Sequence, residues 1–185
     1  MKTRLYIPLV LIVLPIIAAC SKSTSEPETL TIEDLLVRNS ELAGWVYGDR
    51  RWVARNFTEL YGAIDGAGDV MNRYGFREAA SQNYNGTVND APCVVTLMVF
   101  DQTTDENAGN LYDDPDTGMS DAIPWPDGAG EDAQYKINEG FSAKVTFYRS
   151  NYYVDLDIFN GGSEEGLNIL KQFALNVDGK ILDNE

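Results

Sequence analysis

The 185-residue chain carries 29 acidic against 14 basic side chains, a formal charge of −15, with no histidine and two cysteines. Such an acid excess argues against nucleic acid as a partner, because phosphate backbones are held by basic surfaces. The missing histidine removes His-based catalytic triads, the usual zinc ligand sets and pH sensing near neutrality.

Lys2 and Arg4, an apolar run from Leu5 to Ile17, and small Ala18 and Ala19 read as an export signal over residues 1–19. Pro8, Pro15 and a run shorter than the ~20 residues that span a bilayer argue against a retained membrane helix. Ile17-Ala18-Ala19-Cys20 resembles the lipobox of bacterial lipoproteins. The resemblance implies cleavage before Cys20, lipid on its sulfur and new amine, and attachment to a bacterial membrane with the domain on the periplasmic or surface side. Two or more acyl chains hold stably where one does not. An ordinary secreted protein with a chance cysteine at the cut is the alternative. Residues 20–30 then form the lipidated cysteine and a Ser-rich polar tether. Cleavage leaves 166 residues and, without Lys2 and Arg4, a charge of −17. One domain, residues 31–185, is expected at that size. With Cys20 lipidated, Cys93 has no disulfide partner in the chain and reads as a small buried hydrophobe.

Thr31, with Asp34 three residues on, starts a short helix. Trp45-Val46-Tyr47 and Arg51-Trp52-Val53 flank Gly48-Asp49-Arg50 and suggest a small hairpin. Phe57, Leu60, Tyr61, Ile64, Ala67, Met71 and Tyr74 recur at helical spacing and predict one helix over 57–74, with Gly75 as its stop. Phe76 to Tyr84 is a half-polar strand, after which Asn85-Gly86 opens a connection to an apolar central strand at Cys93–Asp101. A short helix capped at Thr103 or Thr104 follows. Residues 113–133 form a long irregular acidic loop. Phe141, Ala143, Val145 and Phe147, then Tyr152, Val154, Leu156 and Ile158, alternate with polar residues around a Ser150-Asn151 turn. Register follows: Phe147 faces Val154 and Val145 faces Leu156 on the core side, while Tyr148–Tyr153, Thr146–Asp155 and Lys144–Asp157 pair on the outer side. A last helix, about 164–177, is capped by Ser163 and ended by Gly179. This order predicts an α+β domain, an antiparallel sheet with helices packed mainly on one face.

Gly44-Trp45, Asn56-Phe57, Ile64-Asp65-Gly66-Ala67, Tyr74-Gly75-Phe76, Glu106-Asn107-Ala108 and Tyr152-Tyr153-Val154 together resemble an uncharacterised family of bacterial exported and lipid-anchored domains. The resemblance implies this fold type and an envelope setting over roughly residues 42–182, and no reaction, ligand or catalytic residue. Gly68 and Gly109-Asn110 depart from the family pattern.

Gly62 and Gly66 fall on the polar side of the predicted long helix, where glycine is unfavourable, so a close neighbour is expected there, either the 113–133 loop or a ligand. Asp155 and Asp157 point the same way from one strand and could serve a cation or hydrolysis, although pairing with Lys144 and Thr146 on a solvated face accounts for them more simply. Asp113-Asp114-Pro115-Asp116-Thr117-Gly118 fails the EF-hand spacing and reads as a solvated acidic loop. Trp125, framed by Pro124 and Pro126, is either an exposed anchor for a partner or sugar, or a cap over its own loop. Tyr148 and Tyr153 offer a second aromatic platform. No cofactor or metal site is expected. The reading that results is a non-catalytic envelope lipoprotein binding a protein partner. A carbohydrate or small-ligand binder using Trp125, Tyr148 and Tyr153 is the alternative, and a hydrolase using Asp155 and Asp157 comes last.

Overall fold

A computed structural model of the protein describes residues 30–184. The export signal at 1–19, Cys20 and the tether up to residue 29 lie outside the described residues. Seven strands, β1 (Val46–Ala54), β2 (Glu78–Val88), β3 (Ala91–Asp101), β4 (Ile123–Pro124), β5 (Asp132–Asn138), β6 (Ser142–Arg149) and β7 (Tyr152–Phe159), make one sheet. Their order is β1-β2-β3-β7-β6-β5-β4, with every pairing antiparallel. Four helices, α1 (Phe57–Ile64), α2 (Gly68–Arg73), α3 (Asp105–Tyr112) and α4 (Glu164–Leu182), complete a single α+β domain.

The first sheet face builds the larger core. Val95, Leu97 and Val99 of β3 and Val154, Leu156 and Ile158 of β7 are buried beneath α4, whose stripe of Leu167, Leu170, Phe173, Ala174 and Val177 meets them. Phe173 is fully buried, its ring 5.5 Å from Trp45 and 5.0 Å from Tyr84. The Ser163 side chain caps α4 by accepting from the Gly166 N–H, as the sequence predicts. The helix runs past its predicted end, however, and Gly179 lies within it. The β6–β7 register is as derived from alternation, pair by pair from Tyr148–Tyr153 to Lys144–Asp157.

Three local readings are corrected. The chain at 45–53 is not a hairpin: Gly48 to Arg50 bulge within the single strand β1, where the Gln82 amide donates to the Gly48 and Asn83 carbonyls. Asn85-Gly86 is not a turn but mid-strand. A Cβ at Gly86 would sit 2.6 Å from the Trp45 ring, so glycine is there for close approach, and the turn falls at Asn89-Asp90, both at positive φ. The predicted 57–74 helix breaks at Asp65 (φ 56°) into α1, a 3₁₀ turn at Asp65–Ala67, and α2.

The second face is covered over part of its area. Ala54, Ala79, Phe100 and Tyr153 are buried with Leu60 of α1, Val70 and Met71 of α2, and Leu111 of α3. The 113–133 loop is tied down here. Asp114 is 8% exposed and accepts from Arg73 Nη1 and Tyr74 Oη, both at 2.7 Å, and from the Asp116 N–H at 2.8 Å. The expected solvated acidic loop is therefore an anchored one, with the Asp114 carboxyl held below its ordinary pKa first by the Tyr74 hydroxyl. Within it, β4 pairs with β5, a strand the sequence reading missed.

Candidate functional site

Alternation along the strands places a polar grid on the second face, beside its core. Asp155 on β7 is flanked by Met98 of β3 and Thr146 of β6; two residues on, Asp157 is flanked by Thr96 and Lys144. Lys144 Nζ lies 2.8 Å from Asp155 Oδ2 and 3.8 Å from Asp157 Oδ2, and the three side chains are 22%, 6% and 29% exposed.

This corrects the expected solvated face. Thr146 and Tyr153 are fully buried and Asp155 is 4% exposed. The cover comes from segments remote in sequence. A Cβ built on Gly109 of α3 would stand 3.4 Å from the Tyr148 ring, and Lys136 donates to the Ser120 carbonyl of the loop at 3.0 Å. Tyr148 and Tyr153 thus form no exposed platform. Tyr148 is half-buried against Tyr112, ring centroids 5.4 Å apart, and Tyr153 stands inside the second core.

Beside the acid pair opens a cleft of about 240 Å³. Asp157, Thr96 and Ser81 rise from the sheet; Trp52 and Arg50 of β1, Ile64 at the end of α1, and Phe159 supply walls. Arg50 reaches the Ala63 carbonyl at 3.0 Å, which fixes its position at the rim. Ser81 Oγ, in the cleft lining, is buried without a hydrogen-bond partner, as are Thr146 Oγ1, Asp155 Oδ1 and Tyr153 Oη farther along the same sheet face. Thr117 and Thr146 stand near the Tyr153 hydroxyl without reaching hydrogen-bond geometry. An unpaired buried polar atom costs about 1–3 kcal/mol, so Ser81 Oγ in the cleft lining points to a use.

The electrostatics follow from two carboxylates sharing one ammonium. Burial, then the neighbouring Asp155 charge, raise Asp157 to about 7, against the opposing pull of Lys144. Burial acts to lower Lys144, but Asp155 and Asp157 outweigh it and hold the ammonium above its ordinary pKa. Burial, then Asp155, raise the Tyr153 phenol. Chemically the arrangement can accept hydrogen bonds, hold a cation and exchange a proton near neutral pH. Among the described residues no group of three or more Asp, Glu, His or Cys could hold a metal ion.

The other predicted residues lie elsewhere. Trp125 is partly buried on the first core, with Lys171 Nζ 5.0 Å above its ring and Gly128 beneath it, so it caps its own loop. Gly62 and Gly66 face open space, with no atom within 4 Å of a Cβ built on either, and the close neighbour expected there is not found among the described residues. Sequence reasoning missed Arg50, Trp52, Ile64, Ser81, Thr96 and Phe159. The legible signal was Thr96, the single polar side chain in the run 93–100, opposite Asp157.

No family model and no characterised sequence matches the chain. Among solved structures it is similar to the extracellular domain of PknH from Mycobacterium tuberculosis, with a TM-score of 0.55 at 14% identity over 82% of this chain and 95% of that one. At that identity the likeness is one of fold: the chain shares the α+β architecture of an extracellular domain.

Proposed function

We propose that this chain is an exported, non-catalytic binding domain, held at a membrane of the cell envelope through lipid on Cys20, and that its ligand is a small molecule seated in the sheet-face cleft. The observation that carries the cleft reading is Ser81 Oγ, a buried polar atom without a hydrogen-bond partner in the cleft lining that also holds Asp157 and Thr96. Small-ligand sites combine apolar walls with a few convergent polar groups, and Trp52, Ile64 and Phe159 supply the walls here. The fold likeness to an extracellular domain and the signal-like first twenty residues support the exported setting.

Native mass spectrometry of the chain purified from its own envelope tests the cleft. A co-purifying small mass that Thr96→Phe removes, at unchanged melting temperature, is the expected result. A mass retained in that variant, or none in either, refutes it. Cys20→Ala is expected to move the chain from the membrane to the soluble fraction, and an unchanged membrane fraction would refute the anchor.

A second reading, the protein adaptor, draws on Phe141 and Phe159, which stack edge to face at 5.8 Å while 59% and 49% exposed. In-cell crosslinking from Phe141 would favour it if one partner protein is captured and Phe141→Ser loses that partner.

A further inference from the structure

We infer that the cleft selects a small hydroxylated ligand bearing one protonated amine, with the Asp157 carboxylate as counter-ion to that amine. The inference rests on the cleft being a ligand site and adds the chemistry of the occupant.

Three observations converge on it. The first is charge count. Asp155 and Asp157 bring two negative charges and Lys144 one positive, and Lys144 is committed to Asp155 at 2.8 Å while standing 3.8 Å from Asp157. Asp155, Asp157 and Lys144 sum to one negative charge, Asp157 is the member that lines the cleft, and Arg50 at the rim is held on the Ala63 carbonyl. The second is the rest of the lining. Ser81 and Thr96 present hydroxyls, Ser81 Oγ is buried without a partner, and Trp52 and Phe159 present apolar faces suited to C–H edges. The third is size. About 240 Å³ holds roughly eight water-sized groups at ~30 Å³ each, so a compact polyhydroxy amine fits, with its remainder projecting from the open side.

A divalent cation fits less well. It wants six or more oxygen ligands, whereas one oxygen of Asp155 is already bound to an ammonium that would repel it. A single organic ammonium needs only Asp157 and the neighbouring hydroxyls. An incoming amine takes the place of a proton, since Asp157 holds its proton up to about pH 7. The charged groups facing Asp157 are Asp155 on its own strand and Lys144 on β6. Thr96 on β3 is neutral, and Arg50 of β1 lines the same cleft with its guanidinium on the Ala63 carbonyl.

Calorimetric titration of the full chain in detergent tests this with two probes of matched size. Glucamine carries an amine where sorbitol carries a hydroxyl, and the amine stays ionised between pH 6 and 8. Glucamine is expected to bind about tenfold tighter or more, the worth of one charge-assisted hydrogen bond. Runs in two buffers of different ionisation enthalpy should report about half a proton released at pH 7, where Asp157 is half protonated. Asp157→Asn should lose both the preference for glucamine over sorbitol and the proton release. Equal binding of the two probes overturns the amine inference and leaves the cleft as a ligand site. Binding of Ca²⁺ or Mg²⁺ alone, with neither probe bound, overturns it in favour of a metal. If neither probe binds and Thr96→Phe removes no co-purifying mass, the cleft reading itself falls.

Discussion

Asp157→Asn should make the protein more stable at pH 8 and leave it nearly unchanged below about pH 4. In the folded state Asp157 keeps its proton up to about pH 7, against an ordinary 3.8. A carboxyl so raised contributes stability that is fully present below the unfolded value and lost as pH rises through the folded one. The unfolded chain ionises first, binds fewer protons across that window, and is favoured by each step of pH. At about 1.36 kcal/mol per pH unit, the interval from 3.8 to about 7 caps the loss near ~4 kcal/mol. The Asp157 side chain keeps 29% exposure and shares its titration with Asp155, so about 2 kcal/mol is the expected size after solvent screening. Asparagine preserves the shape and cannot ionise. Urea unfolding of both proteins at pH 4, 5, 6, 7 and 8 measures the gap, which should open from about pH 4 and level off above pH 7. A gap independent of pH, or wild type the more stable at pH 8, would refute the charge argument for the whole cluster.

Three further outcomes are expected. Phe173→Ala removes a fully buried ring packed between Trp45 and Tyr84 and should cost about 3–5 kcal/mol in urea unfolding; a loss below 1 kcal/mol would show that α4 contributes little to the first core. Gly62→Ala, in a helix with open space around the new methyl, should stabilise by about 0.5–1 kcal/mol, seen as a higher melting temperature. A lower one would refute the open space assigned around Gly62. Asp114→Ala removes the acceptor for Arg73, Tyr74 and the Asp116 N–H, so hydrogen exchange should accelerate at residues 116–118. Because the Asp114 carboxyl titrates low, wild type should lose its protection factor at these amides only as pH falls through that lowered value, and a protection factor that persists there would refute the anchor.

How much of this was legible before the structure depended on the range of the contacts. The β6–β7 hairpin was readable to the residue because two alternating runs and a two-residue turn fix register locally. Whether the Asp155–Asp157 side met water was not readable, because its cover arrives from α1, α3 and the 113–133 loop, dozens of residues upstream. Asp65 broke a clean helical pattern by taking a left-handed conformation that periodicity does not register. Glycine misled twice, at Gly48 and Gly86, where the signal for a turn stood for a bulge and for the close approach of an indole. Strand β5 escaped because its side chains are half-buried and mixed in polarity, leaving little alternation to detect. The acid pair was recognised as a pair. Its cleft was not, since Arg50, Trp52, Ser81 and Thr96 meet Asp157 only through the strand order β1-β2-β3-β7.

That order also sets a sequence of events in folding. β1, β2 and β3 form one meander and β4 to β7 another, and the two halves of the sheet meet only along the seam between β3 and β7. Within the meanders the links run from tight turns to the stretch at 55–77 that carries α1 and α2, but the seam joins residues 51 to 65 apart and must wait for the later segment to be made. Until then β3, with Val95, Leu97 and Val99 on one side, presents an unpaired apolar edge, the kind of surface that recruits foreign strands. A chain released before residue 159 would keep that edge bare, so truncation anywhere in β7 should be met in the cell as aggregation rather than as a smaller folded domain.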